Sequence, residues 1–269
     1  MITTGKGKLA RGFAATVLGT LIFAGAAFAQ SEAVGGGYAA VLEGGGSPAT
    51  KKLRQNLGGA LRQAAARAKA KRATASSAAT QTARQRNAAP KPAITTRPAT
   101  PATNFRAVAG TSTFKTLAEQ VTADQKEREL LVLIFESTKT AFEEEVANKG
   151  RPNNLAAAFT FFIGTTSMVY HDDPEPSEKA LDALWDAMDE TLGDMPELAQ
   201  MSDRDKQETY DTLIALSGVV LVGHLTAKQT KDAATLRSYQ QISGIFIEKI
   251  LQTSPDSIRF SRDGLDLGS

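Results

Sequence analysis

The sequence has no cysteine among its 269 residues, and it has only two histidines and one tryptophan. The absence of cysteine excludes disulfide bonds, thiolate metal sites, a catalytic thiol and a lipid-modified N-terminal cysteine. Alternation of apolar and polar residues never extends beyond five positions, which disfavours long strands. Because 42% of the residues are apolar, at least part of the chain must fold, and its core alone must stabilise it.

Motifs of the common enzyme classes are missing as well. The chain contains no Gly-x-Ser-x-Gly nucleophile motif, and its Gly35-Gly36-Gly37 cluster precedes no strand–helix unit that would hold a phosphate. Acidic residues are so abundant that no pair of carboxylates stands out as a general acid and base. We therefore predict no catalytic residue and no cofactor. A non-enzymatic protein is favoured, although an enzyme stays an open alternative.

Residues 1–29 have the features of a secretory signal peptide. Its positive start is formed by Lys6, Lys8 and Arg11. An uncharged segment follows over residues 12–25, and Ala27 and Ala29 provide the small residues of a cleavage site. The apolar run is short against the ~20 residues of a membrane span, which disfavours an uncleaved anchor. We predict an exported protein, periplasmic or extracellular, whose mature chain begins at Gln30.

Residues 30–111 differ from the rest of the chain in composition. Two glycine clusters come first, and a tract rich in alanine, threonine, serine, proline and basic residues follows. Bulky apolar residues are sparse, so little surface is available to offset the entropy lost on ordering. The sequence therefore predicts a disordered basic linker over residues 30–111, followed by a folded domain over residues 112–269.

Charge is divided between these two parts. Residues 30–111 contain thirteen basic and two acidic residues, a net charge of +11, whereas residues 112–254 contain thirteen basic and twenty-four acidic residues, a net charge of −11. The simplest interpretation is that charge keeps both parts soluble. The alternative is that the linker binds phospholipid headgroups, an anionic wall polymer or the acidic domain itself.

Within the linker, residues 51–72 resemble a helix that lies on a surface. Leu53, Leu57 and Leu61 recur every four residues among basic side chains, although Gly58 and Gly59 interrupt the pattern. Contact with a membrane surface is one interpretation of this pattern. Nucleic acid is a disfavoured partner, because the segment lacks aromatic residues for stacking and export removes most such partners.

The clearest helix signal lies between residues 202 and 230. Ser202 and Asp205 form an acidic variant of the capping box, and residues 213–225 carry no charge. Because the segment is apolar nearly all round, it is typical of a buried central helix. Gly218 and Gly223 would let neighbouring helices approach it closely.

Four further helices are predicted near residues 122–148, 153–170, 177–193 and 232–251. The uncharged run that begins at Asn153 spans about 17 residues, or roughly 25 Å, which is shorter than a 30 Å hydrocarbon core. We therefore interpret it as a buried core helix. The predicted fold class is all-α, a bundle of about five helices preceded by the signal peptide and the disordered basic tail.

Three short strings carry a resemblance to a known family. They are Pro152-Asn153-Asn154-Leu155-Ala156-Ala157-Ala158 opening a helix that ends at Tyr170, Met201-Ser202-Asp203 with Lys206-Gln207-Glu208, and Asp256-Ser257-Ile258 with Gly264. Over residues 112–265 the chain resembles an uncharacterised family of exported bacterial all-helical proteins, a domain of unknown function. The resemblance implies an exported helical domain and supplies no catalytic residues. It leads us to expect an acid beside Leu155, where this chain has Asn154.

Potential metal ligands occur in one loop and one helix. His171, Asp172 and Asp173 combine an imidazole with carboxylates, a set that suits a divalent cation. Prolines break this loop and no second histidine lies near it in sequence, so a plain loop between helices is the simpler interpretation. His224 lies in the apolar central helix, where a core histidine is more common than a ligand. These four residues are weak candidates, and we predict no metal site.

Two functional hypotheses follow from the sequence. The leading one is a non-enzymatic envelope module, in which the basic tether positions an acidic domain that binds another protein or an anionic envelope component. The alternative is a ligand-binding or enzymatic bundle with a pocket between helices 153–171 and 203–229. The residues expected near that pocket are Phe161, Phe162, Tyr170 and His224, with Arg151 at its mouth. The oligomeric state is left open.

Overall fold

The computed structural model of the chain describes residue 38 and residues 47–84, 102–261 and 264–268. The predicted signal peptide and its cleavage site at Ala27 and Ala29 lie outside these residues, and so do residues 30–37, 39–46 and 85–101 of the predicted linker. In the described part, α-helices dominate and one short hairpin accompanies them. The prediction of an all-α fold is confirmed.

From residue 113 onwards the elements follow one another with short connections. The helices are α1 (Pro48–Arg84), α2 (Thr113–Val121), α3 (Gln125–Asn148), α4 (Leu155–His171), α5 (Glu178–Gly193), α6 (Pro196–Ala199), α7 (Asp203–Thr230) and α8 (Ala233–Phe246). A π-helical turn (Ile247–Leu251) and a 3₁₀ turn (Pro255–Ser257) lead from α8 to strands β1 (Ile258–Ser261) and β2 (Gly264–Leu267). The strands are antiparallel, with Ile258 opposite Leu267 and Ser261 opposite Gly264. The five predicted helices correspond to α3, α4, α5, α7 and α8.

Helix α7 is the centre of the bundle, as the sequence predicts. Its capping box is complete, because the Ser202 hydroxyl accepts from the Asp205 amide and the Asp205 carboxylate accepts from the Ser202 amide. The helix packs against α2, α3, α4 and α8. It is long and apolar enough to cross a membrane, yet 89% of its apolar window is buried inside the structure. It is therefore a core helix.

Two glycines of α7 allow neighbouring helices to approach it closely. A methyl group on Gly218 would meet the side chain of Thr138 in α3, and one on Gly223 would meet the ring of Tyr239 in α8. The prediction that these glycines permit close packing is confirmed. The side chains of Thr138 and Tyr239 occupy the space beside these glycines, so the core is filled although α7 has no side chain there.

The start of α4 is organised by the buried amide of Asn154. Its oxygen accepts from the amide of Ala157 at 2.8 Å and from the indole of Trp185 at 3.0 Å. Its nitrogen donates to Thr103 and to the carboxylate of Asp189, each at 3.0 Å. An acid here would place a second carboxylate against Asp189 and would have no hydrogen to donate. The amide is therefore the group that this position requires.

Helix α1 corrects the prediction of a disordered linker. Residues 47–74 and 102–111 belong to the folded domain, and the leucines assigned to a membrane-facing stripe are inside the core. Leu53, Leu57 and Leu61 are at most 1% exposed. The same face of the helix carries buried alanines at positions 60, 64, 65 and 68. The amino-acid composition does not reveal this burial, because small residues form a good interface only when the opposing surface comes close.

The neighbours of α1 fit it in two ways: their backbone lies close to it, and their acidic side chains pair with its basic ones. It lies against α5, α6, the π-helical turn and β2. At Gly58 the backbones nearly touch, since a methyl group there would lie 2.6 Å from the carbonyl oxygen of Leu251. Its basic side chains face acids of α5, α6 and the loop between them. The pairs are Lys71 with Glu190, Arg67 with Asp194 at 2.8 Å, and Lys52 with Glu197 at 3.8 Å.

The segment before α2 is tied to the first turns of α7. The buried Lys206 donates its ammonium to the carbonyl of Ala102 at 2.7 Å. Gln207 accepts from the amide of Val108 and donates to the hydroxyl of Thr111 at 2.9 Å. These contacts fix where α2 begins relative to α7, and so they position one end of the pocket described below.

Candidate functional site

The structure brings together two of the four weak metal candidates. Asp172 ends α4 in the left-handed conformation, with φ 53°. Its carboxylate lies 3.4 Å from Nε2 of His224 and 2.5 Å from Nζ of Lys228. The other two candidates point towards β1: His171 contacts the carbonyl of Ile258, and Asp173 accepts from Arg259 at 2.9 Å. Each carboxylate is thus engaged with a basic side chain.

This cluster has the character of a structural contact. Within the described ranges, no group of three or more His, Asp or Glu side chains is arranged to hold a metal ion. Burial lowers the pKa of the His224 imidazole, and Lys228 lowers it further while Asp172 opposes them. The ring is therefore neutral at pH 7, with one nitrogen facing Asp172. Its Nδ1 has no hydrogen-bond partner in the described part of the chain.

The aromatic and basic residues expected at a pocket are engaged elsewhere. The hydroxyl of Tyr170 donates to Asp256 at 3.0 Å, next to Gly244. Arg151 lies over the ring of Trp185 and pairs with Asp186 at 2.6 Å. Phe162 is fully buried in the core and Phe161 packs against Phe142. None of these side chains lines the pocket that α1, α2 and α7 form.

That pocket lies at the opposite end of the central helix. Its volume is about 260 Å³, and its walls come from α1, α2 and α7, with Phe159 of α4 and Ile250 of the π-helical turn beneath them. Each wall contributes polar groups. They include Thr50 and Arg54 of α1, Ser112 and Thr113 at the start of α2, and Arg204 and Glu208 of α7. Further hydroxyls come from Thr116, Thr209 and Thr212.

The pocket is amphiphilic. Four apolar side chains, each at most 7% exposed, form its inner surface: Leu117, Phe159, Leu213 and Ile250. The polar residues lie around them on exposed or half-buried positions, apart from Thr50, which is buried. A concave site with an apolar floor and a few polar groups is the usual arrangement of a small-molecule site.

The ionisable groups of the pocket are two arginines and one glutamate. Arg204 donates from Nε to Oε1 of Glu208 at 3.2 Å. Arg54 is half-buried, and burial lowers the pKa of its guanidinium. An arginine stays charged under all ordinary conditions, so the wall of α1 presents a cation in a partly desolvated place.

The beginning of α2 has donors that are not satisfied by a cap. Ser112 is the N-cap residue and makes no side-chain hydrogen bond to the helix. The hydroxyl oxygen of Thr113 is buried and has no partner among the residues that the structure describes. The first-turn amides of a helix have no partners within the helix itself.

A buried polar cluster fixes α2 and α3 against α7 beside the pocket. Lys139 of α3 contacts Asp211 at 2.7 Å and lies over the rings of Phe114 and Tyr210. Burial raises the pKa of the Asp211 carboxyl, and the bond from Lys139 opposes that shift. Phe114 and Asp211 are adjacent in sequence to pocket residues. This cluster therefore supports two walls of the pocket without lining it.

The sequence did not reveal the pocket because its walls are far apart along the chain. Thr50 and Arg54 lie in the segment predicted to be disordered, and Arg204 lies in the first turn of the predicted central helix. The available signal was the four-residue spacing of leucines in α1, which predicts a helix with a buried face. The position of that helix against α7 is a property of the tertiary structure.

A family model, described as Family of unknown function (DUF6683), matches residues 20–268. The chain therefore belongs to this family, as the resemblance indicated. The match also covers α1, outside the residues that carried the resemblance. No curated protein and no solved structure matches the chain.

Proposed function

We propose that the protein is an exported, non-enzymatic binding protein that holds a small molecule in the pocket between α1, α2 and α7. Export rests on the N-terminal sequence pattern, and ligand binding rests on the pocket. The observation that carries the proposal is the convergence of three helices on an apolar floor surrounded by polar groups.

Binding without catalysis fits the lining. It contains hydroxyls as the only nucleophile candidates, and no histidine or lysine that would serve as a base. Glu208 is the one carboxylate of the lining, and Arg204 holds it in an ion pair. Activation of a hydroxyl needs an adjacent base, which this arrangement does not offer.

A thermal-shift screen tests the proposal on the mature chain. A ligand at a hundred times its dissociation constant adds about 2.7 kcal/mol of stability, which corresponds to a rise of roughly 5–10 °C in Tm for a domain of this size. A screen of metabolites and metal ions that leaves Tm unchanged would contradict the proposal.

The site is checked with a blocking variant. Thr116 lines the pocket from an exposed position of α2, so Thr116→Trp fills the space with little effect on the core. Lys115→Trp is the control, because Lys115 is an exposed neighbour outside the lining. Binding should be lost in the first variant and kept in the second. Binding that survives Thr116→Trp places the ligand elsewhere.

A second candidate is the envelope interaction module, with the outward face of α1 as its contact. Lys51, Arg62 and Lys69 are exposed on this face and have no ion-pair partner among the described residues. Their positions fall at helical spacing, so they share one side of α1. With the leucines buried, any contact with an anionic membrane or polymer would depend on these charges and not on an apolar stripe.

Charge reversal tests this second candidate. The triple variant Lys51→Glu, Arg62→Glu and Lys69→Glu should abolish sedimentation with vesicles that contain 30% phosphatidylglycerol. The control variant carries the same net change at three other exposed lysines, Lys115, Lys126 and Lys179. Equal retention of both variants on these vesicles and on wall material would exclude α1 as the contact.

A further inference from the structure

Lys139 of α3 and Asp211 of α7 form an ion pair in an enclosed place. Nζ of the lysine lies 2.7 Å from Oδ1 of the aspartate, whose side chain is 4% exposed against 24% for the lysine. Burial penalises charged groups far more than neutral ones. When one proton moves from the ammonium to the carboxylate, a neutral amine and a neutral carboxylic acid result. Enclosure therefore favours the uncharged form of this pair more than water does.

Aromatic rings cover the lysine. Nζ lies 5.7 Å from the centre of the Phe114 ring and 5.9 Å from that of Tyr210, and the ring of Phe142 packs against Tyr210 at 5.8 Å. The two distances from Nζ are close to the ~6 Å limit of a cation–π attraction. The main effect of the rings is thus to keep water from the amine, and a desolvated lysine amine is a nucleophile.

A second carboxylate lies beside the pair. Glu143 follows Lys139 by one helical turn, and its Oε1 is 3.6 Å from Nζ. Burial raises the pKa of the Glu143 carboxyl, while Lys139 opposes the rise and the charge of Asp211 adds to it. Burial also raises the pKa of the Asp211 carboxyl. Both acids therefore accept a proton more readily than exposed carboxylates do, and Glu143 is placed to take a proton from Nζ and return it.

The amine and the carboxyl carbon are within reach of each other. That carbon is one C–O bond of about 1.2 Å from the oxygen that Nζ contacts, so Nζ and the carbon are at most about 4 Å apart. Reacting atoms begin from roughly 3–3.5 Å, so a small movement of the lysine suffices. Two groups held in this way reach effective concentrations of about 10⁵–10⁸ M.

We propose that Lys139 and Asp211 condense to an amide bond that links α3 covalently to α7, with Glu143 as the proton carrier. Nζ first passes one proton to the Asp211 carboxylate, and its lone pair then attacks the carboxyl carbon to form the N–C bond. Glu143 takes a second proton from Nζ and gives it to the hydroxyl that leaves, so the C–O bond breaks and one water departs. The third hydrogen stays on the amide nitrogen, and Glu143 is restored.

The chain contains a matched pair in which the acid is not buried. Nζ of Lys149, at the end of α3, lies 2.7 Å from Oδ1 of Asp182, and this lysine is 21% exposed. Oε1 of Glu178 is 3.3 Å from the same Nζ. The Asp182 side chain, however, is 49% exposed, so water stabilises the charged pair. Burial lowers the pKa of Lys149, yet its bonds to Asp182 and Glu178 outweigh that effect and raise it. This lysine should stay unlinked.

The mass of the unfolded mature chain tests the bond. The wild-type chain should be lighter than its sequence requires by the mass of one water. Lys139→Arg keeps a positive charge at this position but has no amine, so it should have its full mass. Both proteins share the same N-terminus, and any processing there cancels in the comparison.

A tryptic digest locates the bond. Trypsin should fail to cut after Lys139 and should release residues 129–149 joined to residues 207–228. It should cut normally after Lys149, with no fragment joined to Asp182. The digest is needed because ring closure at Asp263-Gly264 would also remove one water.

Glu143→Gln tests the proton carrier, and Glu144→Gln at an exposed neighbouring position is its control. General acid–base catalysis contributes about 10²–10⁴-fold to a rate. Bond formation, followed by mass during and after expression, should therefore be at least about a hundredfold slower in Glu143→Gln and unchanged in Glu144→Gln. Circular dichroism establishes that both variants fold as the wild-type protein does.

A wild-type chain with its full mass and a normal cut after Lys139 overturns the proposal. Links of similar yield at Lys139 and Lys149 contradict the argument that burial of the acid selects the pair. An unchanged rate in Glu143→Gln removes Glu143 as the proton carrier. None of these results depends on a ligand, so the binding function is tested separately.

Discussion

Helices α1 and α7 both place leucines in the core, yet their sequences have opposite characters. Helix α7 contains thirteen successive residues without charge and a complete capping box. Helix α1 is basic and rich in alanine, and it has no acid in its first turn. Nevertheless Leu57 of α1 and Leu216 of α7 are equally inaccessible, at 0% and 1% exposure. Burial therefore depends on what the neighbouring surface provides as well as on the helix itself.

The difference shows how an alanine-rich helix joins a core. Alanine buries little area, but it loses no side-chain entropy and it is the best helix former. When the opposing backbone comes as close as Leu251 comes to Gly58, a face of leucine and alanine fills the interface. A prediction from composition favours disorder for such a segment, because that prediction depends on the number of bulky side chains and on the net charge. The acids of α5 and α6 offset part of that charge.

The strongest test compares one leucine in each helix. Leu57→Ala and Leu216→Ala should each lower the free energy of unfolding by about 2–5 kcal/mol, because each leaves a cavity in a closed core. Chemical denaturation followed by circular dichroism measures both. A loss below ~1 kcal/mol for Leu57→Ala, beside a full loss for Leu216→Ala, would show that α1 is only loosely attached.

Adjacent glycines of α1 provide a sharper comparison. Gly58→Ala should destabilise the protein by about 1–3 kcal/mol, since its methyl group collides with the Leu251 carbonyl. Gly59→Ala has open space and should stabilise it by about 0.5–1 kcal/mol through higher helix propensity. Denaturation of the two variants gives both signs. The same sign for both would mean that the close approach of α1 is not maintained in solution.

His224 of α7 should make the free energy of unfolding fall at acidic pH, and we expect no such effect from α1. Burial lowers its folded pKa below the unfolded value of about 6.5, so the unfolded state binds more protons as the pH falls. The stability that this residue contributes is complete above the unfolded pKa and is lost as the pH falls towards the folded pKa.

Unfolding free energies at pH 7.5 and pH 5.5 check the effect of His224. The wild-type protein should lose stability between these values, and His224→Gln should lose less. At pH 7.5 the denaturation curves of the two proteins, followed by circular dichroism, should have the same shape and differ only by a constant shift. An identical loss in the two proteins would remove His224 as the cause.

The smallest effect is expected for the ion pairs of α1. Arg67 and Asp194 lie 2.8 Å apart at the surface, and exposed pairs contribute about 0–1 kcal/mol. A double-mutant cycle with Arg67→Ala and Asp194→Ala should give a coupling in that range, reduced further at 0.5 M salt. A coupling above ~2 kcal/mol would mean that charge, and not the apolar face, holds α1 in place.

The sequence alone determined the helices whose signals are local. The cap at Ser202, the uncharged run after Leu213 and the small residues at Gly218 and Gly223 specify α7 without reference to another part of the chain. The all-α class follows from the same local patterns. The role of Asn154 was not determined in this way, because its partners Thr103 and Asp189 come from distant segments.

The tertiary structure alone decided whether α1 is folded and where the pocket lies. A helix of leucines, alanines and basic residues gains stability only when a surface of matching shape and opposite charge approaches it, and no local pattern contains that information. Arg54 and Arg204 stand 150 positions apart in the chain, so only the packing of α1 against the bundle places them in one cavity. The candidate site is therefore a product of long-range packing, whereas the helices that form it are products of local sequence.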